Sequence, residues 1–250
     1  MSLRSRVALH TGIVVLVLGS WEFATARGWS DPFYLSRPSA IADRLADWFG
    51  SGSIWPHLGT TTVEALLALV AGTVLGLAAG LAFARSRVLS TVLGPYVTML
   101  NSLPRVVLAP LFLIWFGLGI WSKVAFGITL VFFVVFFNVH QGVRDVDPVL
   151  VRHVRMLGAG DAQLLRQVHL PAALTWLFSS LHTGVGFALV GAVVGEYLGA
   201  SQGVGYLIAQ SEGVLDTTGV FAGMAVLAVL VLAVDAGVRR VERRLLRWKP

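Results

Sequence analysis

The segment from Gly199 to Gly203 has the spacing of the serine-hydrolase nucleophile motif G-x-S-x-G, with Ser201 in the position of the nucleophile. In hydrolases this motif forms a tight turn between a strand and a helix, and a histidine lies close enough to act as base. Here the motif follows a long apolar stretch, and the sequence places no histidine beside it. We therefore expect a turn and no catalytic residue, and we keep an intramembrane hydrolase centred on Ser201 as an alternative.

The other chemically active residue types exclude further classes of site. The chain has no cysteine, which excludes disulfides, thiol nucleophiles and iron–sulfur clusters. Its six histidines show no metal-ligand spacing such as H-x-x-x-H, so no metal site is predicted. Neither Lys123 nor Lys249 lies in a phosphate-binding G-x-x-x-x-G-K-[ST] loop. We expect no cofactor and no ATP site in this chain.

The composition indicates an integral membrane protein. Of the 250 residues, 56% are hydrophobic and only 13% are charged, about half the charged share of soluble domains. The mean hydropathy is +0.78. The net charge of +6 does not indicate a nucleic-acid partner, because the basic residues cluster beside apolar runs. The lipid bilayer is the first partner that the sequence predicts.

Apolar stretches long enough to cross a bilayer predict an all-α fold with six transmembrane helices. The third stretch contains three prolines, so we expect a short membrane-edge helix up to Leu103 and a span from about Val106. Glycines at every fourth residue, as at Gly72, Gly76 and Gly80, predict close helix packing. The predicted spans are Val7–Ala26, Leu58–Ala84, the interrupted Val88–Gly117, Trp121–Val139, Ala172–Gly195 and Val220–Val238.

Lysine and arginine counts predict that both termini are cytoplasmic. In that orientation the inner segments hold fourteen basic residues and the outer segments hold four: Arg27, Arg37, Arg44 and Lys123. The first outer loop contains an amphipathic helix that ends near Gly50, and we expect this helix to lie on the membrane surface. The chain thus divides into 1–56, the first span with its outer loop, and 57–250, the remaining core.

Polar residues inside apolar spans are candidates for a translocation path, because burying them in hydrocarbon is costly. Asn138 and His182 could line the path or have a structural role, whereas a structural role is the favoured interpretation of Glu64. Glu196 lies near the outer end of its span, where it could reach water. Asp235 precedes Arg239 by one helical turn, so the two are expected to pair.

The segment 145–171 predicts a compact helix–turn–helix between the fourth and fifth spans. Asp147 and Pro148 fit the cap and first position of a helix, and Gly158 fits a left-handed end. Asp161 is expected to cap a second helix, and Pro171 to open the fifth span. These residues alone leave two interpretations open: a loop resting on lipid headgroups through its arginines, or a docking element for a partner.

The same loop resembles a signature of binding-protein-dependent ABC transporter permeases, the EAA loop. Gly158-Ala159, followed after the family's spacing by Val168-His169-Leu170-Pro171, matches that loop's glycine and its aliphatic-x-Leu-Pro end. Where the family carries Glu-Ala-Ala, this chain has Arg152-His153-Val154. Stretches at 103–117, 138–148, 191–196 and 203–207 are similar to the nitrate/sulfonate/taurine branch of that family.

The resemblance implies a type I ABC importer permease that forms the path for a small solute and performs no enzymatic reaction itself. Its implied partners are separate ABC ATPase subunits, an extracytoplasmic solute-binding protein and a second permease subunit, identical or paralogous, all at the cell membrane. A self-contained secondary transporter or channel is the alternative. The residues that the resemblance implies for ATPase coupling are Leu150, Arg152, His153, Val154, Arg155, Leu157, Gly158, Ala159, Leu164, Val168, Leu170 and Pro171.

Overall fold

The computed structural model describes residues 3–29 and 31–245, and within these ranges it contains helices and turns but no strand. The all-α prediction is therefore confirmed. The helices are α1 Leu3–Ala26, α2 Pro32–Leu35, α3 Pro38–Gly50, α4 Ile54–Arg85, α5 Arg87–Ser102, α6 Ala109–Phe116, α7 Ile120–Arg144, α8 Pro148–Met156, α9 Asp161–Leu164, α10 Leu170–Gly199, α11 Val204–Gly213 and α12 Thr217–Leu245. A 3₁₀ turn, Arg105–Leu108, precedes α6, and a π-helical turn, Leu165–His169, precedes α10.

Four continuous helical segments are long and apolar enough to cross a membrane: Ile54–Arg85, Ile120–Arg144, Asp161–Gly199 and Thr217–Arg244. A fifth candidate is the pair Arg87–Ser102 and Arg105–Phe116, whose axes bend by 85°. The apolar part of α1, Thr11–Ala26, is shorter than these. Four predicted spans are thus present as single helices, the interrupted third is present as a bent pair, and a span at α1 stays a prediction.

The bend in the third span lies where the sequence predicts it. Leu103 ends α5 in an extended conformation, with φ −67° and ψ 139°, as a residue before proline favours. Pro104 cannot donate a backbone hydrogen bond, so α5 does not continue. The chain restarts as the 3₁₀ turn and α6, which packs its Phe112 against Phe126 of α7 with ring centroids 5.8 Å apart.

The centre of the molecule is a three-helix core made by α4, α7 and α10. Most of its buried side chains are alanine or valine, which lets the helices approach closely without a hydrophobic driving force inside lipid. Val131, Val135 and Val139 of α7 are completely buried. The other buried members are Ala65, Ala68 and Leu69 of α4, Val143 of α7, and Ala173, Leu177, Val185, Ala188, Leu189 and Ala192 of α10.

The glycine stripe on α4 explains this close approach and confirms the packing prediction. A Cβ atom on Gly72 would lie 2.7 Å from the Val131 Cβ, and one on Gly80 would lie 2.8 Å from the Val139 Cγ1. On Gly76 a Cβ would lie 2.8 Å from the carbonyl oxygen of Phe132. The backbones of α4 and α7 therefore meet along this stripe, where only glycine fits.

We expect Gly76→Ala to destabilise the chain by about 1–3 kcal/mol, because the added methyl group forces the two helices apart. The measurement is the thermal unfolding temperature of the purified chain in detergent. Gly59→Ala is the matched control, since Gly59 lies on the same helix and has no atom within 4 Å of its Cβ position. Equal shifts for the two variants would contradict the packing account.

Helix α3 ends at Gly50, as predicted, and its apolar face packs against the chain itself, while its position on the membrane surface stays a prediction. Its half-buried Leu45 and Trp48 pack into a cluster with Ile54 and with Val226 of α12. The guanidinium of Arg44 holds the carboxylate of Asp216 at 2.5 Å. The apolar face is thus covered by the protein, because residues just before and within the first half of α12 contact both the apolar side and the charged side of α3.

Candidate functional site

The segment 145–171 forms a small helical knob, by which we mean α8, the turn after it, and α9 with its π turn. The Asp147 carboxylate accepts a hydrogen bond from Val149 N at 2.7 Å, and Pro148 occupies the first position of α8, as predicted. Gly158 ends the helix with φ +88°, a left-handed conformation that favours glycine. The local sequence signals therefore define the first half of the knob.

The start of the second half differs by one residue from the prediction. Gly160, rather than Asp161, occupies the cap position, and Gln163 Oε1 accepts a hydrogen bond from Gly160 N at 3.1 Å. Asp161 is instead the first helical residue, and it faces Arg155 across the turn with an N···O distance of 3.5 Å. Both partners are exposed, so this ion pair contributes little stability.

Pro171 lies in the first turn of α10, as predicted for the start of the fifth span, but α10 does not begin as a separate helix. The helical path runs without a break from Asp161 to Gly199, through the π turn Leu165–His169 and into α10. Pro171 lies ten residues past the start of this path, where its missing N–H would interrupt α-helical bonding. The π turn just before it adjusts the bonding pattern, which allows the helix to continue.

The tip of the knob presents apolar side chains that the rest of the chain does not cover. Leu157 is 87% exposed and Met156 is 74% exposed. Leu164, by contrast, is buried. Among the other predicted coupling residues, Leu150, Arg152, His153, Arg155 and Gly158 are exposed, whereas Val154, Ala159, Val168, Leu170 and Pro171 are partly buried.

Asn138 and His182, two of the path candidates, are both bonded within the chain. Asn138 Nδ2 donates to the Val134 carbonyl of its own helix at 2.8 Å. His182 Nδ1 lies 2.6 Å from Asp235 Oδ1, and its Nε2 lies 3.1 Å from Glu242 Oε2. The predicted pair of Asp235 with Arg239 is confirmed. His182 therefore ties α10, which continues the knob, to α12.

Glu196, the third path candidate, does not reach water as expected from its position near the end of α10. Its side chain has no exposed surface. Its Oε1 accepts a hydrogen bond from Thr61 Oγ1 at 2.7 Å, and its Oε2 accepts one from Gly205 N at 2.7 Å. The reason is that α11 turns back after α10, so its amino-terminal N–H groups point at the carboxylate.

Two further buried charges lie beside Glu196 and complete a polar cluster that the sequence did not reveal. The Glu64 carboxyl of α4 and the Lys123 side chain of α7 are each 2% exposed and interact with it. Lys123 Nζ also donates to the carbonyls of Leu118 and Gly119, which follow α6. In the sequence, the sign of this cluster is a lone lysine, Lys123, in an apolar stretch, but no sequence pattern indicates which residues contact it.

The loop with the G-x-S-x-G spacing has no hydrolase geometry. Ser201 is exposed in a turn between two helices, and no strand precedes it. His57 is the histidine near this loop, and its Nδ1 lies 3.1 Å from Gly203 N rather than beside Ser201. Gly203 is required for the turn itself, since its φ is +127°.

A family model described as the binding-protein-dependent transport system inner membrane component matches residues 72–247. The taurine transport system permease protein of Escherichia coli (strain K12) is 30% identical over an alignment of 251 positions, which covers 98% of this chain and 91% of that protein. A putative aliphatic sulfonates transport permease protein of Bacillus subtilis (strain 168) is 32% identical over 248 residues, and the match covers 98% of this chain and 90% of that protein.

A third relative is the riboflavin transport system permease protein of Chloroflexus aurantiacus, 32% identical over 236 residues that cover 94% of this chain and 88% of that protein. Among solved structures, an inward-facing form of the MetNI methionine ABC transporter matches with a TM-score of 0.66 and 18% identity. That match covers 77% of this chain and 97% of the other. At this identity the structural match supports the fold alone.

The relatives are transport permease components rather than enzymes, which confirms that ATP hydrolysis belongs to a separate subunit and removes both the hydrolase and the self-contained transporter as alternatives. Membership also implies an ATPase and a solute-binding protein as partners. This chain therefore belongs to the binding-protein-dependent inner membrane component family and is a multi-pass permease subunit of an ABC importer.

Proposed function

We propose that the knob at 145–171 is the element through which an ATPase subunit drives this permease. The observation that carries the proposal is the exposed apolar tip, Met156 and Leu157, on a turn fixed by Gly158. Apolar side chains surrounded by polar and charged neighbours are typical of a protein interface. The exposed Arg152, His153 and Arg155 form that surrounding rim.

The continuous helix from α9 into α10 supplies the route for the movement. A force on the tip acts on a 39-residue rod, Asp161–Gly199, instead of on a flexible loop. The rod is joined to α12 through His182, and it reaches the Glu196 cluster at its far end. ATP-driven closure of the ATPases would therefore tilt α10 together with α12, and the path would alternate between two facing states.

The segment Arg152-His153-Val154 determines which charge the facing ATPase surface must carry. Where the EAA loop that this segment resembles carries a glutamate, this chain has Arg152, whose side chain is exposed. A charge that is buried at an interface without a partner of opposite sign destabilises the complex. The matching ATPase groove therefore carries an acidic or neutral surface at this position.

A second permease subunit, identical or paralogous, covers the face made by α5 and the 3₁₀ turn after it. None of the residues of α5 is buried within this chain. A broken helix at membrane depth is stable only against protein or a water-filled cavity, and not against lipid. The translocation path accordingly lies between the two subunits, with both termini of each chain in the cytoplasm.

The transported solute is a small nutrient of the kind carried by the relatives, with a small organic anion such as a sulfonate as the first candidate. This choice is supported by the taurine and aliphatic-sulfonate systems among the relatives. It also follows that the binding protein, rather than this chain, makes the first selection of solute.

Thiol labelling in intact cells tests the orientation on which the coupling role depends. The chain has no cysteine, so each introduced cysteine is the sole site in it. We expect Met156→Cys to react with a membrane-impermeant maleimide only after the cells are permeabilised, whereas Ser201→Cys reacts in intact cells. Reaction of Met156→Cys from outside the cell would overturn the proposed function.

A further inference from the structure

We propose that Arg105 is an anion-selecting residue on the translocation path, where its guanidinium meets a small oxyanion such as a sulfonate in transit. This inference rests on the proposed function, since it needs the path to lie along the face of α5. It goes further by naming the residue and the ligand chemistry.

Arg105 lies near the middle of the membrane. Its guanidinium carbon is 4.7 Å from the ring centroid of Phe133 on α7. Phe133 lies one residue past the midpoint of that 25-residue helix, so it is about 18 Å from either helix end at 1.5 Å per residue. An arginine at this depth costs several kcal/mol in hydrocarbon and therefore indicates a functional site.

The bonding of Arg105 leaves part of its donor fork unused. Its Nη2 donates to the Asn101 carbonyl at 3.0 Å and also to the Asn101 side-chain oxygen. The Phe133 ring packs on the guanidinium plane. The Nε–H is shielded from solvent and has no acceptor. The Nη1 group makes no hydrogen bond within the described residues, so it is the guanidinium donor left to bind a carboxylate, sulfonate or phosphate oxygen.

The charge of Arg105 is not matched by the chain itself. Two other cations on the spanning helices have carboxylate partners: Lys123 has Glu64 and Glu196 beside it, and Arg239 pairs with Asp235. No carboxylate within the described ranges lies within ion-pair distance of Arg105. An arginine that retains its positive charge in a low-dielectric surrounding raises the local concentration of anions.

The surroundings of Arg105 belong to the face that the chain leaves uncovered. Leu103, Val106 and Val107 flank it and are exposed, Val107 by 70%. The backbone is broken at Pro104, so this face cannot lie against lipid. Asn101 and Phe133 hold the guanidinium at the break, between the two helical halves of the interrupted span. A solute that passes between two such subunits therefore meets one Arg105 from each.

The test uses the cysteine-free chain with a reporter cysteine, Val106→Cys, in the importer assembled with its ATPase in membranes. Two methanethiosulfonate reagents of similar size are compared, one carrying a sulfonate and one carrying a trimethylammonium group. We expect the anionic reagent to react faster, and the ratio of the two rates to fall about tenfold when Arg105→Gln is added. Arg105→Lys should keep most of the preference.

Methanesulfonate is the probe for binding, with the neutral dimethyl sulfone as its control. Methanesulfonate should slow the reaction of Val106→Cys when Arg105 is present and should have no effect in Arg105→Gln. Val229→Cys, exposed near the middle of α12, is the control position and should react with neither reagent. Equal reagent rates, no reaction at position 106, or a ratio unchanged by Arg105→Gln would each overturn the inference.

ATPase retention in the same preparations separates this inference from the proposed function. If the ATPase co-purifies with the chain but position 106 shows no charge preference, only the role of Arg105 fails. A carboxylate of the second subunit paired with Arg105 would give that result, because methanesulfonate would then find the guanidinium occupied. If the ATPase is absent and Met156→Cys labels from outside, the proposed function fails first.

Discussion

Leu157→Asp is expected to strip the ATPase from this permease while leaving the permease folded in the membrane. Leu157 is 87% exposed at the tip of the knob, so its replacement removes no internal packing. In the assembled importer the new carboxylate would be buried at an apolar contact without a partner, which costs several kcal/mol. The amount of ATPase that co-purifies with an affinity-tagged chain should fall about tenfold or more.

Val214→Asp is the matched control for this experiment. Val214 is an equally apolar side chain, 73% exposed, in the turn between α11 and α12 at the opposite end of the molecule. It should retain the ATPase at the level of the unmodified chain. If Leu157→Asp also retains it, the tip of the knob is not the contact.

Glu196→Ala is expected to produce the largest loss of stability among single changes in the buried cluster. It removes the acceptor for Gly205 N and for the Thr61 hydroxyl, and both donors are buried. The Thr61 hydroxyl keeps the His57 carbonyl as an acceptor, whereas the orphaned Gly205 N–H costs about 1–3 kcal/mol. The measurement is the unfolding temperature of the purified chain in detergent, together with its yield in membranes.

Two other variants make this result specific to the cluster. Glu196→Gln keeps one oxygen as acceptor but turns an amide toward the second donor, so its loss should be smaller than that of alanine. Glu212→Ala removes an exposed acid of α11 that bonds Tyr197, and it should shift the unfolding temperature by less than half as much. A loss at position 212 equal to that at position 196 would contradict the capping role.

The parts of the knob that could be predicted are those set by neighbours in sequence. Asp147 and Pro148 begin α8 because a carboxylate that caps a helix and a proline that lacks an N–H both suit the first turn. Gly158 ends it because the left-handed conformation favours glycine. The start of α9 differs by one residue from the prediction because glycine also serves as a cap, and Gly160 takes that place.

The continuity of α9 with α10 could not be predicted in the same way. Pro171 has the local properties of a helix start, and only the π turn before it makes a continuous helix possible. Local signals therefore indicate where α10 begins, but not that the π turn joins it to α9.

The buried polar cluster was invisible to sequence reasoning for a related reason. Thr61 and Glu196 are 135 residues apart, and His182 and Asp235 are 53 apart. Their place inside apolar spans identified Asn138, His182 and Glu64 as costly to bury, but it carried no information on which partners satisfy them. Helix α11 returns to the Glu196 carboxylate, and its Gly205 N–H donates to that carboxylate. Glu196 therefore has a structural role within the fold.

The contact between the knob and the ATPase can be measured most directly by disulfide cross-linking in the assembled importer. A cysteine at Leu157 is the sole cysteine of the permease, and it is paired with single cysteines placed along the groove of the ATPase surface that faces the membrane. The account predicts a cross-linked band for Leu157→Cys and none for Val214→Cys. Absence of any cross-link from Leu157→Cys, in a preparation that hydrolyses ATP and imports solute, would contradict it.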